Sequence, residues 1–103
     1  MYGYPHICEE IKGFKKVSVI GNTREKRNIF CIELGTGDKC AVFSAAFHGL
    51  EYLTATALIE FAKRFSEISE YHSRLRLFVV PMVNPDGVTL CQYGLSGINT
   101  ENA

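Results

Sequence analysis

The sequence has 103 residues, 47% hydrophobic and 21% charged with three prolines, a composition that folds and a length too short for two domains. Eleven Lys and Arg balance eleven Asp and Glu, which removes any global electrostatic pull toward nucleic acid, an anionic membrane or an acidic substrate. No run approaches the roughly 18 to 20 apolar residues of a membrane helix, and the start, Met1 to His6, lacks a basic segment followed by an apolar core, so a soluble chain without a secretion signal is expected.

The charge is unevenly spread. Lys12, Lys15, Lys16, Arg24, Lys26 and Arg27 crowd one stretch with a single acid, Glu25, and no Lys or Arg follows Arg76. The basic stretch has one aromatic, Phe14, and none among Arg24, Lys26 and Arg27, and reads as a solvated loop rather than an anion-binding patch. Cys8, Cys31, Cys40 and Cys91 form no C-x-x-C pair and no zinc-ribbon spacing, so reduced thiols, in keeping with a cytoplasmic compartment, are expected. Cys31 and Cys40 fall in what read as neighbouring strands.

In chain order, Ile7 to Phe14 suits a short helix ending near Gly13, and Val17 to Ile20 a brief strand. Asn28 to Leu34 reads as a strand, Gly35 to Lys39 as a tight reversal, and Cys40 to Phe47 as a second strand completing a hairpin. The small apolar residues of that second strand suit a central position covered on both faces. From about Glu51 the apolar positions Leu53, Ala57, Leu58, Phe61, Ala62, Phe65 and Ile68 recur at helical spacing. Leu75 to Val80 is another apolar strand, closing a strand–helix–strand crossover expected to be parallel and right-handed. Asn84-Pro-Asp-Gly87 carries the residues of a strong turn, and no convincing element follows it. His6 and His72 lack spaced partners and read as surface residues, and Met82 as core filler.

The chemistry concentrates where the small-residue strand meets the helix, at Ala45-Ala-Phe-His48-Gly-Leu-Glu51. Ligands in α/β folds collect outside the carboxyl ends of strands, which is where His48 falls. Glu51, in the first helical turn, can turn back to the same point, so that an imidazole nitrogen and a carboxylate bind one cation. Gly49 allows the chain to bend between them. The same residues admit a reading without metal, with His48 ending a strand and Glu51 favouring the positive end of a helix. Asn84 to Gly87 emerges on the same edge of the sheet, which brings the two polar segments together.

These motifs, in this order, resemble those of the zinc carboxypeptidase family of metallopeptidases, nearest the bacterial γ-D-glutamyl-diaminopimelate peptidases. In that family a His-x-x-Glu pair supplies two zinc ligands and an Asn-Pro-Asp-Gly segment follows the next strand. Gly21-Asn-Thr-Arg-Glu-Lys-Arg-Asn-Ile is similar to the family's earlier G-x-S-x-x-G-R-x-I segment, with Thr23 for Ser and Lys26-Arg27 for Gly-Arg.

The resemblance, from about Val17 to Gly87, implies that His48 and Glu51 are zinc ligands. It also implies an α/β fold: the N-terminal part of a mixed, mostly parallel sheet with helices on its faces, in a phosphorylase/hydrolase-like architecture. Leu50 stands where digestive-type members carry an Arg that helps polarise the substrate, and Glu51-Tyr-Leu-Thr-Ala looks more like members acting on cell-wall peptides.

The family's third zinc ligand, substrate-clamping Arg residues, Tyr and general-base Glu lie downstream of Asn-Pro-Asp-Gly. Here that region holds no Arg and no His, and Tyr93 comes too early for the family's Tyr. Gly97 to Ala103, including Glu101, resembles the start of a variable loop before that machinery. The expectation is therefore an incomplete, N-terminal third of a catalytic domain, inactive by itself, whose parent is a zinc-dependent peptidase with peptide substrates and no nucleic-acid or membrane partner. The alternatives are a zinc-dependent deacylase of the aspartoacylase or succinylglutamate desuccinylase type, and a non-catalytic module that self-associates through an open sheet edge.

Overall fold

The structure, a computed structural model, describes residues 2–97. The expectation for Gly97 to Ala103 falls, from residue 98 onward, outside the described residues. Helix α1 (Tyr4–Glu10) is followed by a 3-10 turn at Ile11–Gly13; strands β1 (Val17–Asn22), β2 (Asn28–Leu34) and β3 (Lys39–Ser44) come next, then α2 (Leu53–Glu67), β4 (Leu75–Val80) and α3 (Pro85–Tyr93).

The strands form one mixed sheet in the order β1-β2-β4-β3. β3 and β4 run parallel, joined through α2, while β1 pairs with β2 and β2 with β4 antiparallel. The expected β2–β3 hairpin does not form, because β4 lies between the two strands. The Gly-rich connection does not reverse the chain but steps across the start of β4. Thr36 N–H donates to the His72 carbonyl (2.7 Å) and Gly37 N–H to the Leu75 carbonyl (3.2 Å). A Cβ on Gly35 or Gly37 would run into the backbone at Arg74 and Leu75, and Gly35 also has φ +78°. The same rearrangement parts Cys31, buried in β2, from Cys40, exposed on β3; all four cysteines are free thiols.

One face of the sheet carries the core. Ile32 and Leu34 of β2 and Leu77 and Val79 of β4 pack with Ile7 of α1, Val88 of α3, and Ala55, Ile59, Ala62 and Phe65 of α2. The buried stripe of α2 thus runs through 55, 59, 62 and 65, rotated from the expected one. Leu53, Phe61 and Ile68 are left exposed, with Phe61 beside Phe43 of β3 at 5.1 Å between ring centroids.

β3 occupies an edge among the described strands, not the expected centre. Val42 is 70% exposed and Phe43 is also exposed. His72 is not a plain surface residue either: its Nε2 donates to the Phe65 carbonyl (2.7 Å) and its ring stacks on Phe65, holding the end of α2.

Asn84-Pro-Asp-Gly is the beginning of α3 rather than a turn. Asn84 is the N-cap, its Oδ1 accepting the Gly87 N–H (2.9 Å), and Pro85 starts the helix, where its missing N–H costs nothing. The same residue types serve both structures, so the local sequence does not separate them.

Burial pushes the Cys31 thiol up from its ordinary range, the main cause being loss of solvent around it. Under native conditions a thiol reagent is expected to modify Cys40 and Cys91 rapidly and Cys31 only on unfolding. Mass-mapped labelling with and without denaturant reads this directly, and equal labelling of Cys31 and Cys40 in the native chain would contradict the placement of β2.

Candidate metal half-site at the end of β3

β3 ends at Ser44, and the chain turns through Ala45, Ala46 and Phe47 into a short 3-10 turn, Gly49–Glu51, that precedes α2. His48 immediately precedes that turn and Glu51 closes it, outside the first turn of α2 where the periodicity placed it. The Glu51 N–H donates to the His48 carbonyl (2.9 Å), so the backbone folds back over the intervening two residues. Both side chains are exposed, and neither is engaged in a hydrogen bond or ion pair among the described residues.

Three devices hold this turn. First, Ala46 has φ +56°, a left-handed conformation unusual for a residue with a Cβ. It is pinned by hydrogen bonds on both sides of its peptide units: Ala46 N–H donates to Thr54 Oγ1 (2.9 Å), and the Ala46 carbonyl accepts the Asn84 N–H (3.1 Å). Second, Asn84 Nδ2 donates to the Phe47 carbonyl (3.1 Å) while its Oδ1 caps α3. Third, Gly49 packs directly on α3, where an added Cβ would collide with the Gly87 carbonyl and approach Cys91 Sγ. Gly87 in turn has no room for a Cβ against the Asn84 amide.

The first turn of α3 is itself anchored from the β1–β2 loop. Asp86 Oδ1 accepts from Thr23 Oγ1 (2.9 Å) and from the Arg27 guanidinium (2.9 Å), and its Oδ2 accepts the Glu25 N–H (3.2 Å). Thr23 Oγ1 also accepts the Arg27 N–H (2.9 Å). The pair is about three-quarters shielded, with side chains 22% and 26% exposed, so its charge-assisted bonds outrank an ordinary surface ion pair. The carboxylate also lies at the positive end of the helix.

The structure therefore brings together the three segments picked out in the sequence. Thr23 and Arg27 hold Asp86, whose helix holds Asn84 and Gly87, and these hold the His48–Glu51 turn. Sequence reasoning missed Thr54, whose signal was only its place one turn beyond Glu51. Among the described residues, no group of three or more His, Cys, Asp and Glu comes together as a metal site. The donor set still fits part of one: an imidazole and a carboxylate, three residues apart on a clamped turn, solvent-accessible and without competing partners.

Lys26, in the position where the resembling segment has Gly, takes φ +63°. Replacing it by Gly is expected to raise stability by about 1 kcal/mol, since L-residues cost roughly 1–2 kcal/mol there. Gly49→Ala is expected to lower stability by about 1–3 kcal/mol through overpacking against the Gly87 carbonyl. Equilibrium denaturant melts of the two variants check both signs.

Comparisons with known proteins give the family and the fold. The profile of the family described as "Zinc carboxypeptidase" matches residues 6–102, nearly the whole chain. A curated relative, gamma-D-glutamyl-L-diamino acid endopeptidase 1 of Lysinibacillus sphaericus, is 29% identical over 107 aligned residues, covering 86% of this chain and 27% of its own length.

Among solved structures, bovine thrombin-activatable fibrinolysis inhibitor in complex with tick carboxypeptidase inhibitor superposes with a TM-score of 0.67 at 12% identity, over 89% of this chain and 34% of that one. A metallo-carboxypeptidase from Pseudomonas aeruginosa in complex with (2-guanidinoethylmercapto)succinic acid superposes at 0.64 and 20% identity, over 84% and 26%. At these identities the superpositions establish the fold. The chain spans between about a quarter and a third of the length of these proteins.

Proposed function

Because the chain belongs to the zinc carboxypeptidase family, we propose that it forms part of a zinc-dependent peptidase in which His48 and Glu51 are two of the metal's protein ligands. The observation that carries this reading is the pair itself: an imidazole and a carboxylate on one clamped turn at the carboxyl end of β3, both accessible and both without another partner among the described residues. A bound catalytic zinc lowers the pKa of its water to about 7 and polarises the scissile carbonyl. His48 would contribute a neutral ring nitrogen and Glu51 an anionic oxygen. The turn orients both through its backbone and not through hydrogen bonds to the side chains.

A catalytic zinc takes about three protein ligands and needs a positioned base, so two donors make half a site. The remaining ligand, the base and the groups that bind a substrate carboxylate would come from sequence beyond these 103 residues. This supports reading the chain as the N-terminal third of a catalytic domain and the 103 residues alone as inactive. The family match puts a peptidase ahead of a deacylase.

For the substrate we favour bacterial cell-wall peptides with γ-D-glutamyl-diamino acid linkages. The Lysinibacillus relative supports it, as does Leu50, 81% exposed beside the donors, which together with exposed Phe47 presents an apolar rim instead of a cationic one. Among the described residues no helix is long and apolar enough to cross a membrane.

The test is zinc binding and cleavage. His48→Ala and Glu51→Ala are each expected to weaken zinc binding by the full chain at least tenfold. The purified 103 residues are expected to show no zinc-dependent hydrolysis of a γ-D-Glu-diaminopimelate or C-terminal peptide substrate. Unchanged zinc affinity in both variants would remove the assignment, and turnover by the 103 residues would remove the claim of inactivity.

The β3 edge favours a second, compatible reading for the 103 residues in isolation. Val42, Phe43, Phe61, Ile68 and Tyr71 are exposed along the open edge and the adjoining flank of α2. A strand with unpaired backbone groups and apolar side chains pairs readily with another copy. Sedimentation is expected to show concentration-dependent self-association that Val42→Lys reduces, whereas a monomer at every concentration would refute it.

A further inference from the structure

Among the described residues, the donors on the His48–Glu51 turn receive no hydrogen bonds on their side chains, so whatever sets their separation acts on the backbone. Two side chains reach that backbone from outside the turn. Thr54 Oγ1 accepts the Ala46 N–H (2.9 Å) and donates to the Glu51 carbonyl (2.7 Å), so one hydroxyl ties the residue two before His48 to the second donor residue. Asn84 Nδ2 donates to the Phe47 carbonyl (3.1 Å), on the peptide unit that enters His48. The two clamps come from different elements, α2 and the start of α3, and between them hold both ends of the turn. The positive φ of Ala46 marks where the backbone is held in a conformation it would otherwise leave.

We propose that Thr54 and Asn84 are positioning residues for the metal half-site, fixing the distance and relative orientation of His48 and Glu51 through the backbone; the proposal rests on the assignment of those two as zinc ligands. A pre-set ligand pair binds metal more tightly than one that must be ordered on binding, because the ordering entropy has already been lost in folding. Outer partners of metal ligands typically change affinity by about 10–100-fold when removed. The hydroxyl of Thr54 is what the proposal needs, not its methyl. Of Asn84, it needs the amide donor and not the helix-capping oxygen.

The experiment uses the metal-free full chain, titrated with Zn²⁺ against a chromophoric chelator and with Co²⁺ monitored by its visible absorption, alongside the thermal midpoint of each metal-free variant. Thr54→Val removes the hydroxyl at constant shape, and Thr54→Ser keeps the hydroxyl. Asn84→Ser keeps a helix-capping oxygen but is too short to reach the Phe47 carbonyl.

The expected result is a 10–100-fold loss of Zn²⁺ affinity in T54V and N84S with an altered Co²⁺ spectrum, near-native affinity and spectrum in T54S, and metal-free melting of N84S close to that of the parent. If H48A and E51A weaken binding while T54V and N84S stay within twofold of the parent, the proposal is overturned and the ligand assignment survives. If H48A and E51A change nothing, the ligand assignment itself has failed. Should T54V not fold, N84S decides: loss of affinity upholds the proposal and native affinity overturns it.

Discussion

The turn between β3 and α2 depends on a close approach of Gly49 to the Gly87 carbonyl, which leaves no room for a Cβ on Gly49. That approach lets the turn carrying His48 and Glu51 lie directly against the first turn of α3. Once it is made, Asn84 is within reach of the Phe47 carbonyl, and the cap of one helix becomes a clamp on another segment. A Cβ at Gly49 would meet the Gly87 carbonyl and push the turn off α3, and one at Gly87 would meet the Asn84 amide that makes the bond. The missing side chain at Gly49 is thus a condition for the Asn84–Phe47 contact.

α3 can serve as a platform only because it is held from the other side. Asp86 gathers the Thr23 hydroxyl, the Glu25 amide and the Arg27 guanidinium, binding the helix start to the β1–β2 loop in partial shelter from water. The cationic stretch read as a merely solvated loop therefore has two kinds of residue in it. Arg27 turns inward onto Asp86, while Arg24 and Lys26 remain exposed. Three motifs distant along the chain are linked in series: loop to helix start, helix start to turn, turn to His48 and Glu51.

The edge strand β3 shows the same dependence on surroundings at larger scale. Its small apolar residues are suited to cover on both faces and neighbours on both sides, yet among the described residues β4 alone pairs with it. Phe43 finds Phe61, but Val42 faces outward. Composition reported the environment the strand is built for, and the pairing observed among the described residues supplies only part of it. This is in keeping with a chain that spans about a quarter of the length of its curated relative.

Strands β2 and β4 were legible to the residue, because uninterrupted β-branched and apolar runs bounded by Gly, Asn or Pro leave few alternatives. Their partners were not, since pairing depends on which strand arrives where: Gly35 and Gly37 fit a reversal and a crossing over β4 equally well until Arg74 and Leu75 are in place. The rotation of the buried stripe on α2 was likewise hidden, because Phe61 and Leu53 are as apolar as Phe65 and Ile59, and only the docking of the helix on the sheet decides which of them faces it. Asn84 to Gly87 failed as a turn because capping and turning use the same residues. By itself, the sequence determined that His48 and Glu51 stand three residues apart after an apolar strand, a property of consecutive residues. Tertiary structure alone decided that Thr54, Asn84 and Asp86 would converge on that turn, because hydrogen bonds between residues as far apart as Thr23 and Asp86 exist only once the sheet and α3 bring them within about 3 Å.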